Sequence, residues 1–247
     1  MKKVALIPAR YAATRFPAKL MQTLGNKSVI RHTYDNTVAT GLFDQVFVVT
    51  DSDIIFDEIV NNGGEAVMSQ KEHRTGSDRI AEAVAGIDVD IVVNVQGDEP
   101  FVQKAPLEKL LQVFEGEAGQ KVHVASLMQV LKRQSLINDP NYVKVVVDKQ
   151  MNALYFSRSV VPYPRNKDLL INYYEHIGVY AFRKEVLAEF ATWPISNLES
   201  AENIECLRYL ENGVSIRMIT TEYMGVEIDM PEDLQKAEAL LAEQKVQ

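Results

Sequence analysis

The sequence predicts an α/β fold, a mostly parallel sheet flanked by helices, and three observations predict it. Through the first hundred residues, short apolar runs alternate with stretches whose apolar residues recur at helical spacing. Runs that are apolar throughout suit strands buried on both faces, as helices packed on both sides of a parallel sheet require. The residues able to carry chemistry follow the ends of those runs, where open α/β sheets bind ligands.

Val4 to Ile7 is the first buried strand, closed by Pro8. Asn26 to Thr40 carries Val29, Ile30, Tyr34 and Val38 at helical spacing, and Gly41 ends it. Gln45 to Thr50 is a second strand. Asp51-Ser-Asp53 opens a helix with acidic residues in its first turn, which ends at Gly63-Gly64. Glu65 to Met68 is a third strand. Thr75-Gly-Ser-Asp78 matches a capping box ahead of Ile80, Ala83 and Val84. Asp90 to Val95 is a fourth strand. Beyond it the pattern is less regular. Lys104 to Phe114 reads as a helix, Val122 to Gln129 as a strand, and Val143 to Val147 and Ala153 to Phe156 as two more strands. Residues 157–174 form a polar, proline-containing excursion, followed by a strand from His176 to Phe182. Ser196 caps one helix from about Leu198 to Asn212, ended by Gly213; Val214 to Thr220 is a strand, and Pro231 sits in the first turn of a last helix.

The chain has 247 residues, 47% hydrophobic and 24% charged, an ordinary globular balance for one domain without a long linker or internal repeat. The single cysteine, Cys206, excludes an intrachain disulfide framework and any Cys-rich zinc site. No signal-peptide core opens the sequence, and no apolar run approaches the roughly 18 residues of a membrane span, so a cytoplasmic protein without membrane insertion is expected. The net charge of −8 argues against nucleic acid as the main partner.

Against that acidic background one segment is locally basic. The loop after the first strand places Arg10, Arg15 and Lys19 within ten residues. Guanidinium forks and a lysine point charge there suit phosphate oxygens. The loop has neither a P-loop nor a dinucleotide-binding glycine pattern, so side-chain cations must contribute more than glycine amides. Val93-Asn-Val-Gln-Gly-Asp-Glu-Pro100 starts as an apolar strand and ends in carboxylates; Asp98 at its carboxyl end is placed for Mg²⁺, which takes one or two carboxylates together with substrate phosphates. In His73-Arg-Thr-Gly-Ser-Asp-Arg79, Thr75, Gly76 and Ser77 sit at a helix N-terminus whose free amides suit an anion or a base edge. Arg158 and Arg165, on the irregular excursion, suit a substrate carboxylate. Asp229 is placed to cap the last helix while lending an oxygen to a metal. The four histidines lack metal-ligand spacing.

These segments carry a family resemblance. Ile7-Pro-Ala-Arg-Tyr-Ala-Ala-Thr-Arg-Phe-Pro-Ala-Lys19, His73 to Arg79, Asn94-Val-Gln-Gly-Asp-Glu99, Ala153-Leu-Tyr-Phe-Ser-Arg158, His176-Ile-Gly-Val-Tyr180 and Ile228-Asp-Met-Pro-Glu-Asp-Leu234 occur in one order. Together, over about residues 3 to 236, they resemble the 3-deoxy-manno-octulosonate cytidylyltransferase (CMP-Kdo synthetase) family. The resemblance implies a nucleotide-diphosphosugar-transferase-like fold with a smaller sugar-binding and dimerisation lobe. It implies a nucleotide-binding part at about 1–130, the lobe at about 131–225 and a returning C-terminal helix at 226–247. It implies a homodimer that uses Mg²⁺ to join CTP to Kdo for lipopolysaccharide synthesis, with release of pyrophosphate.

By the same resemblance, Arg10, Lys19, Asp98 and Asp229 are the catalytic set, and Asp98 and Asp229 the metal ligands. Pro8, Ala9, Arg10, Arg15, Lys19, His73, Thr75, Gly76, Arg79 and Gln96 bind CTP. Arg158, Arg165, His176, Tyr180, Glu205 and Cys206 bind the sugar. Three departures from the family pattern stand out. Ala18 replaces a glycine that precedes the lysine, Cys206 replaces a glutamine on the sugar side, and Ile228-Asp-Met-Pro replaces a usual V-D-T-P. The cysteine leaves the same reaction on 8-amino-Kdo or a sialic acid as the alternative, and a non-catalytic nucleotide-binding homologue as a further one.

Overall fold

The computed structural model of the chain describes residues 1–12, 16–71, 73, 75–222 and 226–244. In chain order the elements are β1 (Lys3–Ala9), β2 (Thr23–Leu24), β3 (Lys27–Ser28), α1 (Val29–Ala39), β4 (Gln45–Thr50), α2 (Asp53–Asn61), β5 (Ala66–Met68), α3 (Gly76–Val84) and β6 (Ile91–Asn94). Then come α4 (Lys104–Gln112), α5 (Gly116–Gly119), β7 (Val124–Leu131), α6 (Gln134–Asn138), β8 (Lys144–Val147), β9 (Ala153–Ser157) and β10 (Tyr173–Arg183). The chain finishes with α7 (Lys184–Phe190), α8 (Asn197–Glu202), α9 (Leu207–Glu211), β11 (Ile216–Thr220) and α10 (Pro231–Gln244).

Two compact units form, one from Met1–Leu107 with Met224–Gln247, the other from Glu108–Tyr223. In the first, β6, β1, β4 and β5 lie side by side, all parallel. β1 is flanked on both sides, and Val4, Ala5, Leu6 and Ile7 are buried accordingly. The chain moves from β1 to β4 on one side and returns through α3 to β6 on the other. The carboxyl ends of β1 and β6 therefore border the switch point, where such sheets open a crevice. α1 begins at Ser28, whose side chain accepts from the Arg31 amide at 3.2 Å, and the chain leaves it through Gly41 at φ 64°.

In the second unit β7 pairs antiparallel with β10 and parallel with β11. The first residues of β10 also pair with β8, which pairs with β9. The division falls earlier than the expected boundary near residue 130, because β7 finds its partners among these later strands.

The single helix expected from Leu198 to Asn212 is two, α8 and α9. Asn203 takes the left-handed conformation (φ 53°) between them, which asparagine tolerates better than most residues. Ser196 and Glu199 make the capping box that starts α8. The break brings Glu199 back onto Arg208, whose Nε donates to the carboxylate at 2.7 Å. The guanidinium also stacks over Phe190, 4.1 Å from the ring centre.

Candidate active site

The carboxyl ends of β1 and β6 and the start of α3 enclose a cavity of about 220 Å³ in the first unit. Pro8, Ala9, Arg10, Lys19, His73, Thr75, Gly76, Arg79, Gln96 and Asp98 all line it. Of the ten expected nucleotide ligands, the nine that are described share this one cavity; Arg15 lies outside the described residues. Gly76 and Gly97 line the cavity beside Pro8. A Cβ on Gly97 would sit 3.0 Å from the Pro8 carbonyl oxygen, and one on Gly76 would sit 3.2 Å from the Pro8 ring. Two glycines therefore let β1, α3 and the loop after β6 close on Pro8.

Thr75 caps α3, its side chain accepting from the Asp78 amide at 3.1 Å. The buried Arg79 has a defined place. One nitrogen donates to the Ala9 carbonyl at 3.2 Å and another to Asp51 at 2.6 Å. The Arg79 guanidinium holds the Asp51 carboxyl below its usual range. Arg79 thereby ties α3 to the end of β1, while Arg10 is exposed at the rim. His73 meets Glu82 at 2.7 Å.

The centre of the site is Lys19. Its ammonium donates to Asp98 and, at 2.8 Å, to Asp229, although 210 residues separate Lys19 from Asp229. The backbone explains the meeting: the Ile228 amide donates to the Asp98 carbonyl at 3.0 Å, and the buried Ile228 anchors the returning segment. Burial disfavours the charge on Lys19, but Asp98 and Asp229 outweigh that and raise its pKa above the ordinary lysine value. Lys19 is therefore charged throughout the neutral range. At the start of α10 the Asp233 carboxylate reaches back and accepts from the Met230 amide at 3.0 Å and the Asp229 amide at 3.3 Å. These bonds fix the backbone from which the Asp229 carboxylate meets Lys19. Ala18, just before the lysine, adopts φ 50° and ψ 34°, the left-handed conformation that a glycine would take freely.

Two acidic residues escaped the sequence reading. Glu227 joins Asp98 and Asp229 in a group whose carboxylate oxygens lie within 4.8 Å of one another. The signal was present: in the extended stretch Glu227-Ile-Asp229, residues two apart face the same way. Glu99 is pushed up to about 8, by burial first and then by Glu227 and Asp98, so it is largely protonated at neutral pH.

The residues expected to bind the sugar all lie in the second unit. His176 and Tyr180 stand on β10 with ring centres 5.3 Å apart. Burial pushes His176 down to about 4, so its ring is neutral at pH 7. Cys206 is buried and hydrogen-bonded to Tyr180, and burial pushes the thiol up to about 12. Arg158 donates to the carbonyls of Glu202 at 2.7 Å, Pro140 at 2.9 Å and Asn203 at 3.2 Å. Glu205 is half-buried and Arg165 exposed. Among the described residues, no helix is long and apolar enough to cross a membrane.

Known proteins resemble the chain over nearly its whole length. The family model described as Cytidylyltransferase matches residues 4–216. The chain is 61% identical over 241 residues to the 3-deoxy-manno-octulosonate cytidylyltransferase of Flavobacterium johnsoniae, covering 98% of this chain and 99% of that protein. It is 56% identical to the protein of the same name from Christiangramia forsetii, covering 97% and 96%. Among solved structures, a CMP:2-keto-3-deoxy-manno-octonic acid synthetase complexed with CTP superposes with a TM-score of 0.93 at 35% identity, over 99% of this chain and all of that one. The 4-diphosphocytidyl-2C-methyl-D-erythritol synthase of Anaerococcus prevotii shares the fold, with a TM-score of 0.63 at 17% identity, over 98% of each chain.

Proposed function

The chain belongs to the cytidylyltransferase family, and from that premise we propose that it activates 3-deoxy-manno-octulosonate with CTP, giving CMP-Kdo and pyrophosphate. The observation that carries the reading is the Lys19 ammonium held between Asp98 and Asp229, in the cavity formed by the ends of β1 and β6. In the reaction a sugar hydroxyl oxygen attacks the α-phosphorus of CTP. A new O–P bond forms, the bond to the bridging oxygen breaks, pyrophosphate leaves, and the hydroxyl proton is lost to water. Arg10 and Lys19 place positive charge where the leaving group gathers its negative charge. The amides at the start of α3 suit the nucleotide's anionic oxygens, and Gly76 and Gly97 add no side chain to the cavity. Arg79 holds the two sides of the cavity together.

The acidic group suits Mg²⁺. Asp98, Glu227 and Asp229 offer only hard oxygen donors, and an ammonium already lies between two of them. Asp98 and Asp229 would hold the ion, with Glu227 beside them; when bound, it screens charge on the phosphate oxygens. An ion held there would compete with the Lys19 ammonium for the two carboxylates, and the ammonium would then be left to face the triphosphate. A homodimer fits the exposed Leu154 and Leu170 of the second unit, apolar side chains that a partner copy would cover. A cytoplasmic location fits a CTP-consuming enzyme whose product feeds lipopolysaccharide synthesis.

The test is pyrophosphate release with each of the four nucleoside triphosphates, paired in turn with Kdo, 8-amino-Kdo and a sialic acid. Turnover of CTP with Kdo is expected to exceed every other pairing. A preference for 8-amino-Kdo or sialic acid would move the assignment to that sugar, and CTP binding without turnover of any of them would leave a binding protein.

A further inference from the structure

We propose that Ser126 is a positioning residue that fixes the tautomer of His176, and so decides which imidazole nitrogen is left to accept a hydrogen bond from a hydroxyl of the acid sugar. The inference rests on the reading of His176 as a sugar contact.

Ser126 is fully buried on β7. Opposite it the ladder with β10 skips: Ile177 pairs with Leu127, but the next pair is Tyr180 with Ser126, so Gly178 and Val179 bulge out of register. The Ser126 hydroxyl sits inside that bulge. Its oxygen lies 2.9 Å from the Val179 carbonyl, 3.1 Å from the Ile177 carbonyl and 3.2 Å from His176 Nε2. A hydroxyl has one proton to give, and carbonyl oxygens only accept. If that proton went to His176, two carbonyl oxygens would face the hydroxyl's lone pairs at hydrogen-bond distance with no proton between them. The proton therefore goes to the carbonyls, and the contact with the imidazole is made by Nε2–H donating to the serine oxygen. A neutral imidazole carries one N–H, so Nδ1 keeps its lone pair. Burial keeps the ring neutral and prevents a second N–H from blurring the choice. Among the described residues Nδ1 has no hydrogen-bond partner. A sugar hydroxyl is a donor of the kind that the open nitrogen accepts. The serine thus does two things with one group: it stitches the bulge that sets His176 beside Tyr180, and it assigns the imidazole its acceptor side.

The experiment is nitrogen-15 NMR of the histidine side chains of the full chain at pH 7, with the His176 signals identified by their loss in His176→Gln. A single neutral tautomer protonated at Nε2 is expected. Protonation at Nδ1, or a charged ring, would overturn the inference. In Ser126→Ala the Nε2–H preference is expected to weaken and KM for the sugar to rise about tenfold, with KM for CTP within twofold of wild type. Ser126→Thr, which keeps the hydroxyl, should restore both. Wild-type tautomer and sugar KM in a folded Ser126→Ala would also overturn it; if that variant fails to fold, the wild-type tautomer and Ser126→Thr decide. An inactive chain would count against the functional reading, whereas an Nδ1–H ring in an active enzyme counts against this inference alone.

Discussion

Replacing Lys19 with methionine should have two effects of opposite sign. The ammonium lies between Asp98 and Asp229, whose side chains are 14% and 28% accessible. Without it, carboxylate oxygens that gather within 4.8 Å face each other unscreened. At an effective dielectric constant of about 20, that repulsion is about 3.5 kcal/mol. Rotation of the acids and entering water will take back a part, leaving a loss of about 2–3 kcal/mol. For a chain of this length the midpoint of thermal unfolding should fall by roughly 4–12 °C. The same substitution removes the cation that competes with the proposed Mg²⁺. Lys19→Met should therefore bind Mg²⁺ more tightly than wild type, and its midpoint should recover as Mg²⁺ is added, while CTP turnover falls because the leaving group has lost a counter-charge. Thermal scans in EDTA and across a Mg²⁺ series measure both. An unchanged midpoint in EDTA, with a Mg²⁺ response no larger than wild type's, would refute the reasoning.

Asp98→Asn and Asp229→Asn should each lower turnover by on the order of 10²–10³ with the fold intact by circular dichroism, since each removes a carboxylate that pairs with Lys19 and would hold the proposed Mg²⁺; either variant running near the wild-type rate would contradict its role. Ala18→Gly should gain about 0.5–1 kcal/mol in urea unfolding, because relief of the left-handed alanine outweighs the extra freedom of glycine in the unfolded chain; a loss of stability would show that the methyl group contributes packing. His176 has its pKa lowered from 6.5 to about 4, so between those values the unfolded chain takes up a proton that the folded one refuses. Stability should thus decline by up to about 3 kcal/mol as pH falls from 6.5 to 4, an upper figure because the residue as a whole is half-buried. His176→Gln should flatten that slope, and equal slopes for the two proteins would refute it.

Sequence pattern carried the first unit well, because its strands are apolar throughout and its helices start on capping residues such as Ser28 and Thr75. It failed where the decisive contact is distant in sequence. The stretch Leu198 to Asn212 keeps helical spacing, and nothing local says that Asn203 will turn left; the turn is stabilised by Glu199 reaching Arg208, which is visible only after folding. The meeting of Asp229 with Lys19 was not legible either, because it depends on the backbone bond from the Ile228 amide to the Asp98 carbonyl, made between residues far apart in sequence. Arg79, which the resemblance implies as a CTP ligand, lines the cavity while donating to Asp51 and the Ala9 carbonyl, a tie that only the fold reveals. The lining of the cavity was legible because its residues follow strand ends. Ser126 was not, because a buried serine in an apolar strand gives no signal until the opposing bulge is seen.

The contact of Gly76 and Gly97 with Pro8 bears on how such a pocket can change over evolutionary time. A Cβ added at Gly97 or Gly76 would meet Pro8 at 3.0 or 3.2 Å, so any mutation at either glycine obliges the Pro8 segment to give way. A lineage that drifted toward a different base or sugar would have to do so through residues on the walls, such as Gln96 or His73, while the bottom stayed as it is. Diversification in this architecture is thereby steered to the rim, and the depth at which a triphosphate rests becomes an inherited constant.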